Sequence, residues 1–543
     1  MGSSRSSQNK FIVQGSILAI ASIMVRLIGV VYRIPMIRII GEDGYGIYVM
    51  VFNIYNVALI LSSYSLPLAV SKLIAARNIK KEYRNASRVL VSSLLFALIV
   101  GFAFTCLLYF GADYIAATVY KDSDIAQPLR VLSPTIFVFS VMGVLRGFFQ
   151  GKNTMLPTAV SQILEQIVNA VVSITAAYLF MQAHDASSSI AAYGASGGTL
   201  GTLMGALTGL IFLLAVFIMY YPSFKRMVRK DRYSPRESYR DIYKLLIITI
   251  VPVILSQTVY QLNSFLDDIL FKQVLFTKGI GDTVSNALIG SYSGKYKLLT
   301  NVPIAISSAM ASAMIPSIVA SRTIGANNEV HGKIHSAVKF NMIIAIPAAI
   351  GMSVLGRPIL QLFFSSATDL EVNMMVWGSV GIIFYALSTI TNSVLQAVNL
   401  MRLPVLNAAA SLGIHLVLVF CLLKFTNMNI YALVIGNVTF PMVICALNWV
   451  QISRQLFYKQ EIIKTFCIPL ISASIMGIVA YFSYKLVHLV VRSNLISVSV
   501  AIVLAVIVYF ASLVALKGLS IEEITRMPKG HLILRILKKI HMA

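Results

Sequence analysis

Arg26 and Arg33 are the residues from which the chain's chemistry has to be read. They stand seven positions apart inside an otherwise apolar stretch, residues 22–46, where a membrane helix should carry no charge. On an α-helix that spacing places them almost above one another, with Gly29 on the same face. A guanidinium at bilayer depth costs at least ~2.5 kcal/mol, so such a group normally faces a water-filled path or a charged partner. Two readings follow: a cationic cavity for an anionic ligand, or a buried ion pair that holds two helices together. Arg38, further along, can instead reach the interface with its head group.

Other polar groups recur at helical spacing. Gln257, Tyr260, Gln261, Ser264, Asp267 and Asp268 form a stripe at three- and four-residue intervals in a second apolar run. Gln257 and Gln261 are candidate ligand contacts. Asp267 and Asp268 can pair with the arginines, bind a coupling cation, or be wetted at the surface. Glu165 lies in SQILEQIVNA beside Gln162, Gln166 and Asn169. It admits a proton- or sodium-coupling role, or a hydrogen-bonded lock between helices. Lys295 and Lys297 enter the apolar run that leads to Pro316. Basic side chains from several helices suit a phosphate or diphosphate, which accepts several charge-assisted hydrogen bonds. Lys297 can alternatively snorkel outward.

Signals for catalysis are thin. Asp122-Ser-Asp124 has the form of a metal–sugar-phosphate tripeptide, but the loops on its side of the membrane are too short to hold a donor and an acceptor sugar. Cys106, Cys421, Cys445 and Cys467 lie singly in apolar runs, and the seven histidines are scattered. No metal site, disulfide framework or resident cofactor is expected. Sodium ions, protons or the membrane potential are the expected energy sources.

Membrane helices must carry these groups. The chain of 543 residues is 58% hydrophobic and only 12% charged, with a mean hydropathy of +0.82. Soluble domains are about 25% charged. Apolar runs of twenty or so residues predict an all-α polytopic membrane protein with about fourteen spans. The net charge of +24 would suggest nucleic acid in a soluble chain. Here the bases gather in short loops, as in Arg77, Lys80, Lys81, Arg84 and Arg88, and in residues 225–240, which predicts cytoplasmic loops and cytoplasmic termini and no nucleic-acid partner. The tail carries Leu532, Ile533, Ile536, Leu537 and Ile540 opposite Arg535, Lys538 and Lys539. This is the pattern of an amphipathic helix on anionic lipids of the cytoplasmic face.

A repeat divides the chain. Gln150-Gly-Lys-Asn153 with Pro157 recurs as Gln396-Ala-Val-Asn399 with Pro404, and Pro67 recurs as Pro316. The separations are 246, 247 and 249 residues. Since six spans precede the second copy, the two lobes are expected to be parallel repeats. The predicted layout is an N-lobe over 1–230, a C-lobe over 231–455, two further spans over 456–516 and the basic tail over 517–543.

RLIGVVYRIP, LRGFFQGKNTMLPT, SQILEQIVNA and KYKLLTNVP followed by AMIPSIVASR resemble the multidrug/oligosaccharidyl-lipid/polysaccharide exporter superfamily. The order of these segments resembles most the polysaccharide-biosynthesis branch that holds stage V sporulation protein B and the lipid II flippases. The resemblance implies a V-shaped pair of six-helix lobes and alternating access. It further implies a monomeric flippase, not an enzyme, that moves an undecaprenyl-diphosphate-linked sugar across the bacterial cytoplasmic membrane. By this resemblance Arg26, Arg33 and Lys297 hold the diphosphate. The basic residue those flippases carry in span two has no counterpart in YNVALILSSYSLP, which points towards the sporulation-protein side of the branch. Two rival expectations are a cation-coupled drug antiporter, which would want cavity carboxylates, and a membrane glycosyltransferase or polymer ligase.

Overall fold

The computed structural model describes residues 2–232, 234–364 and 367–519; the amphipathic tail expected over residues 520–543 lies outside them. All regular structure in the described residues is helical, as the sequence predicts. By length and apolarity eleven helices qualify as membrane spans, or twelve if the bent pair Tyr239–Leu255 and Gln257–Thr277 forms one. The sequence anticipates fourteen. Part of the difference lies in the first qualifying segment, Ile20–Ile79, whose 60 residues reach ~90 Å at ~1.5 Å per residue, enough for two crossings. It breaks at Gly41, whose φ of 72° and ψ of 177° only glycine adopts without strain. The run 286–320, expected as the eighth crossing, is not among the eleven.

The chain forms two compact units, one ending at Gly294 and the other beginning at Lys295. The first contains α1 (Gly2–Ser62), α2 (Leu66–Ile79), α3 (Tyr83–Tyr114), α4 (Ala126–Leu132), α5 (Pro134–Gly151), α6 (Leu156–Ala183), α7 (Ile190–Lys230), α8 (Tyr239–Thr277) and α9 (Asp282–Ser291). The second contains α10 (Leu298–Thr323), α11 (Asn327–Val354), α12 (Gly356–Phe364), α13 (Asp369–Gly378), α14 (Gly381–Ala397), α15 (Arg402–Phe425), α16 (Ile430–Leu456), α17 (Ile468–Val491) and α18 (Asn494–Ala515).

The compact units part beyond residue 230 because the first half of α8 packs with the helices before it. Ile242, Leu246 and Ile250 are buried in one apolar cluster with Leu66, Val70, Val89, Leu145 and Phe148. The basic loop before α8 is docked as well. Asn85 donates to the Pro235 carbonyl at 2.9 Å and accepts from the Glu237 N–H at 3.2 Å. Glu237 pairs with Arg77, Asp231 accepts from the Arg84 N–H at 2.9 Å, and Arg88 covers the Tyr239 ring at 4.1 Å. At Asp231 desolvation acts to raise the carboxyl pKa, but hydrogen bonds from Arg84 and Ser234 outweigh it and hold the pKa below the usual value. These contacts dock the loop before α8 as a strap on α2 and α3.

The repeated Gln-x-x-Asn motif has a repeated physical cause. Asn153 and Asn399 both take left-handed backbone angles, with φ of 58° and 67°. Each asparagine N–H donates to the carbonyl of its own Gln, at 2.9 and 3.1 Å. The next N–H then reaches back five residues, from Thr154 to Phe149 and from Leu400 to Leu395. This is one helix stop built twice, and asparagine tolerates the left-handed angle better than most side chains. The Pro67 and Pro316 landmarks differ in use, since Pro67 opens α2 while position 316 falls within α10.

Candidate functional site

The site in the first unit is built by α1 folding back on itself. After the Gly41 break its second leg carries Tyr45, Tyr48, Phe52 and Tyr55 at helical spacing, with successive ring centroids 5.5, 4.7 and 5.7 Å apart. These aromatics return towards the first leg, so that the hydroxyls of Tyr32 and Tyr48 meet at 3.3 Å. Arg33 sits in this tyrosine pocket, hydrogen-bonded to Tyr32 and close to Tyr45 and Tyr48. Its Nε is enclosed and meets no acceptor.

Arg26 is exposed on the same leg. Ion pairs in this unit include Arg77 with Glu237, Arg130 with Asp113, Arg146 with Glu165, and Lys272 with Asp122 and Asp282. Neither Arg26 nor Arg33 belongs to any of them. The ion-pair reading of the two arginines therefore finds no carboxylate among the described residues, and the anion-binding reading retains an open donor at Arg33. Gly29 lies against α6, where an added Cβ would stand 3.3 Å from the Gln166 amide nitrogen.

Glu165 takes the locking role. It accepts from Arg146 at 2.7 Å, and Arg146 also donates to Ser161 Oγ at 3.1 Å, tying α5 to α6. Asp267 and Asp268 are both buried, with 2% and 5% exposure, so they are not wetted surface groups. Asp268 accepts from Asn53 Nδ2 at 2.7 Å, which joins α8 to the second leg of α1. Gln257 and Gln261 lie half-buried just after the 43° bend in α8.

The stripe continues one turn beyond Asp268 to Lys272, a residue the spacing argument does not single out. The Lys272 ammonium reaches Asp122 at 2.9 Å, Asp282 at 2.9 Å, Ser285 at 3.0 Å and Asn286 at 2.9 Å. Asp122 and Asp124, the metal-like tripeptide, are thus used otherwise: Asp122 by Lys272 and Asn286, and Asp124 by the Ser189 hydroxyl at 2.9 Å. Among the described residues no group of three or more His, Cys, Asp or Glu is arranged to hold a metal ion.

In the second unit Lys295 is buried and donates to Glu371 at 2.5 Å, with the Phe364 ring 5.8 Å from its ammonium. Glu371 is itself fixed by a capping box with Thr368 at the start of α13. Lys295 therefore does structural work in this unit, while Lys297 is half-buried at the end of the π-helical turn Tyr292–Lys297. Removing one member of a buried ion pair strands the other charge at a cost of about 3–5 kcal/mol, whereas replacing both with apolar groups is often neutral. Glu371→Ala is expected to lower the melting temperature strongly, and Glu371→Leu with Lys295→Met to recover most of it. Equal melting of wild type and Glu371→Ala in a detergent thermal-shift assay would refute the pairing. This unit also holds an apolar recess of about 380 Å³ between α10, α11, α17 and α18, lined by residues such as Ile306, Pro347, Met476 and Val506.

The family described as polysaccharide biosynthesis protein matches residues 12–322, more than half of the chain. Two relatives from Bacillus subtilis (strain 168) align over most of it. Lipid II flippase MurJ is 25% identical, covering 85% of this chain and 86% of its own. Stage V sporulation protein B is 25% identical, covering 96% and 99%. Among solved structures, lipid II flippase MurJ in an inward closed conformation matches with a TM-score of 0.65 at 14% identity, over 91% of this chain and 97% of that one. An inward-facing MATE family multidrug resistance transporter of the MOP superfamily matches with a TM-score of 0.63 at 16% identity, over 80% and 98%. The fold is the one these transporters share. With its eleven or more apolar helices, the chain is a multi-pass protein of the bacterial cytoplasmic membrane.

Proposed function

Because the chain belongs to the polysaccharide biosynthesis protein family, we propose that it is a flippase for a lipid-linked sugar, working by alternating access. Its cargo is an undecaprenyl-diphosphate-linked saccharide, either lipid II or a related cell-wall precursor. Arg33 and Arg26 hold the diphosphate, and Gln257 and Gln261 add neutral contacts. The observation that carries this reading is the enclosed Nε of Arg33, which meets no acceptor among the described residues. A buried donor left unsatisfied is destabilising by about 1–3 kcal/mol, and a phosphoryl oxygen removes that penalty on binding.

The prenyl chain needs no specific polar contact and stays in lipid. Two of the carboxylates that a cation antiporter would use are engaged elsewhere, Glu165 by Arg146 and Asp268 by Asn53. The test is a leaflet-accessibility assay with purified protein in liposomes containing a labelled undecaprenyl-diphosphate disaccharide–pentapeptide. The expected result is transfer of label between leaflets that depends on the protein. Transfer no faster than in protein-free liposomes, for this precursor and for an undecaprenyl-diphosphate oligosaccharide alike, would overturn the reading.

A further inference from the structure

We propose that Lys272 is the pin of a latch that holds the segment from Gln257 to Ser291 against α1 and the 121–125 loop, and that this segment parts from them during turnover. The proposal rests on the transport reading above, but its geometry is independent of the cargo.

Lys272 is only 1% exposed, and Asp122 and Asn286 are 3% and 2% exposed. An ammonium has three donors, and here four acceptors lie within 3.0 Å, so every proton has a partner and one acceptor can always be exchanged. Asn286 bridges further, donating to Asp122 at 2.8 Å and bonding Asp43 beyond the α1 break. Four carboxylates, from Asp43, Asp122, Asp124 and Asp282, influence one another here, with Lys272 as the cation among them. Lys272 is therefore the cation that Asp122 and Asp282 share at this joint.

Two features distinguish a latch from ordinary packing. The segment is bounded by the 43° break in α8 at one end and by the π-helical turn Tyr292–Lys297 at the other, and both are places where helices bend. A row of polar contacts also crosses the joint, beside buried apolar groups such as Phe271, Leu275 and Ile289: Asn53 to Asp268 at 2.7 Å, the Lys272 cluster, and Ser291 donating to Glu42 at 2.6 Å. The apolar cluster that holds the first half of α8 reaches no further along this helix than Ile254.

The test uses spin labels on Lys121→Cys and Thr283→Cys, both exposed positions, in full-length protein whose four native cysteines are replaced. Distances are measured by pulsed electron–electron resonance in lipid nanodiscs without cargo. One short-distance population is expected with Lys272 present or with Lys272→Arg. Lys272→Gln is expected to raise the parted-to-closed ratio by at least about tenfold, the effect of stranding Asp122. Asp122→Asn removes the opposing charge at constant volume and should act in the same direction, which covers a Lys272→Gln protein that fails to fold. Superimposable distance distributions in wild type and either folded variant would overturn the latch. Because no cargo is present, that result leaves the transport reading untouched, and a failed flippase assay leaves the latch untouched.

Discussion

Arg33→Ala is expected to slow transfer of the lipid-linked precursor by roughly ten- to a hundredfold while leaving the melting temperature unchanged or slightly raised. The two halves of the expectation have one cause. A hydrogen bond to a charged group contributes about 1.5–3 kcal/mol, and each ~1.4 kcal/mol is a factor of ten. Without cargo the same guanidinium keeps an enclosed Nε that meets no acceptor, so its removal relieves the resting protein. Arg33→Lys keeps the charge but loses the planar fork, and an intermediate rate is expected. The liposome assay and a thermal-shift measurement on the same preparations check this. Loss of folding together with loss of transfer would mean that Arg33 is a structural residue and would remove it from the site.

The second large effect is structural. At Gly290 an added Cβ would stand 1.8 Å from the Glu42 carbonyl oxygen, and at Gly46 it would stand 2.0 Å from that of Asn286. Both obstacles are backbone atoms, which cannot rotate away as a side chain can, so α1 and α9 would have to separate. Gly290→Ala is expected to destabilise the first unit by more than about 3 kcal/mol, above the usual range for single substitutions. It should show as a large loss of folded protein in fluorescence-detection size-exclusion chromatography. Gly413, where an added Cβ would meet no atom within 4 Å, is the control, and Gly413→Ala should be recovered at wild-type levels. Similar yields for the two variants would show that α1 and α9 approach each other less closely than these distances require.

How much of this is legible in the sequence depends on the distance over which each residue acts. The arginines announce themselves because charge inside an apolar run needs no tertiary knowledge. Their tyrosine pocket does not, since Tyr45 and Tyr48 reach Arg33 only through the turn of the chain at Gly41, and that is a matter of one residue's φ. The sequence leaves a lock open as a role for Glu165, but nothing in it marks Arg146 as the partner. Lys272 is legible in principle, four residues after Asp268 on the same stripe, whereas its acceptors come from other segments. Lys295 reads as a substrate ligand because its partner Glu371 lies 76 residues away, beyond any periodicity. The span count differs for a related reason: the apolar runs before and after Gly41 read as two crossings, whereas the structure carries them as one 60-residue segment broken at that glycine.

The docked strap bears on where this chain tolerates added sequence. Residues 231–238 combine charge, proline and serine, and on composition they are the natural place for a tag, a fluorescent insert or a protease site. Yet Asp231, Pro235 and Glu237 spend their polar groups on the ends of α2 and α3. Insertion tolerance follows from the burial and bonding of the backbone concerned, not from hydrophilicity. The exposed turn at residues 184–188 lacks such anchors to distant segments and is the better position for a handle.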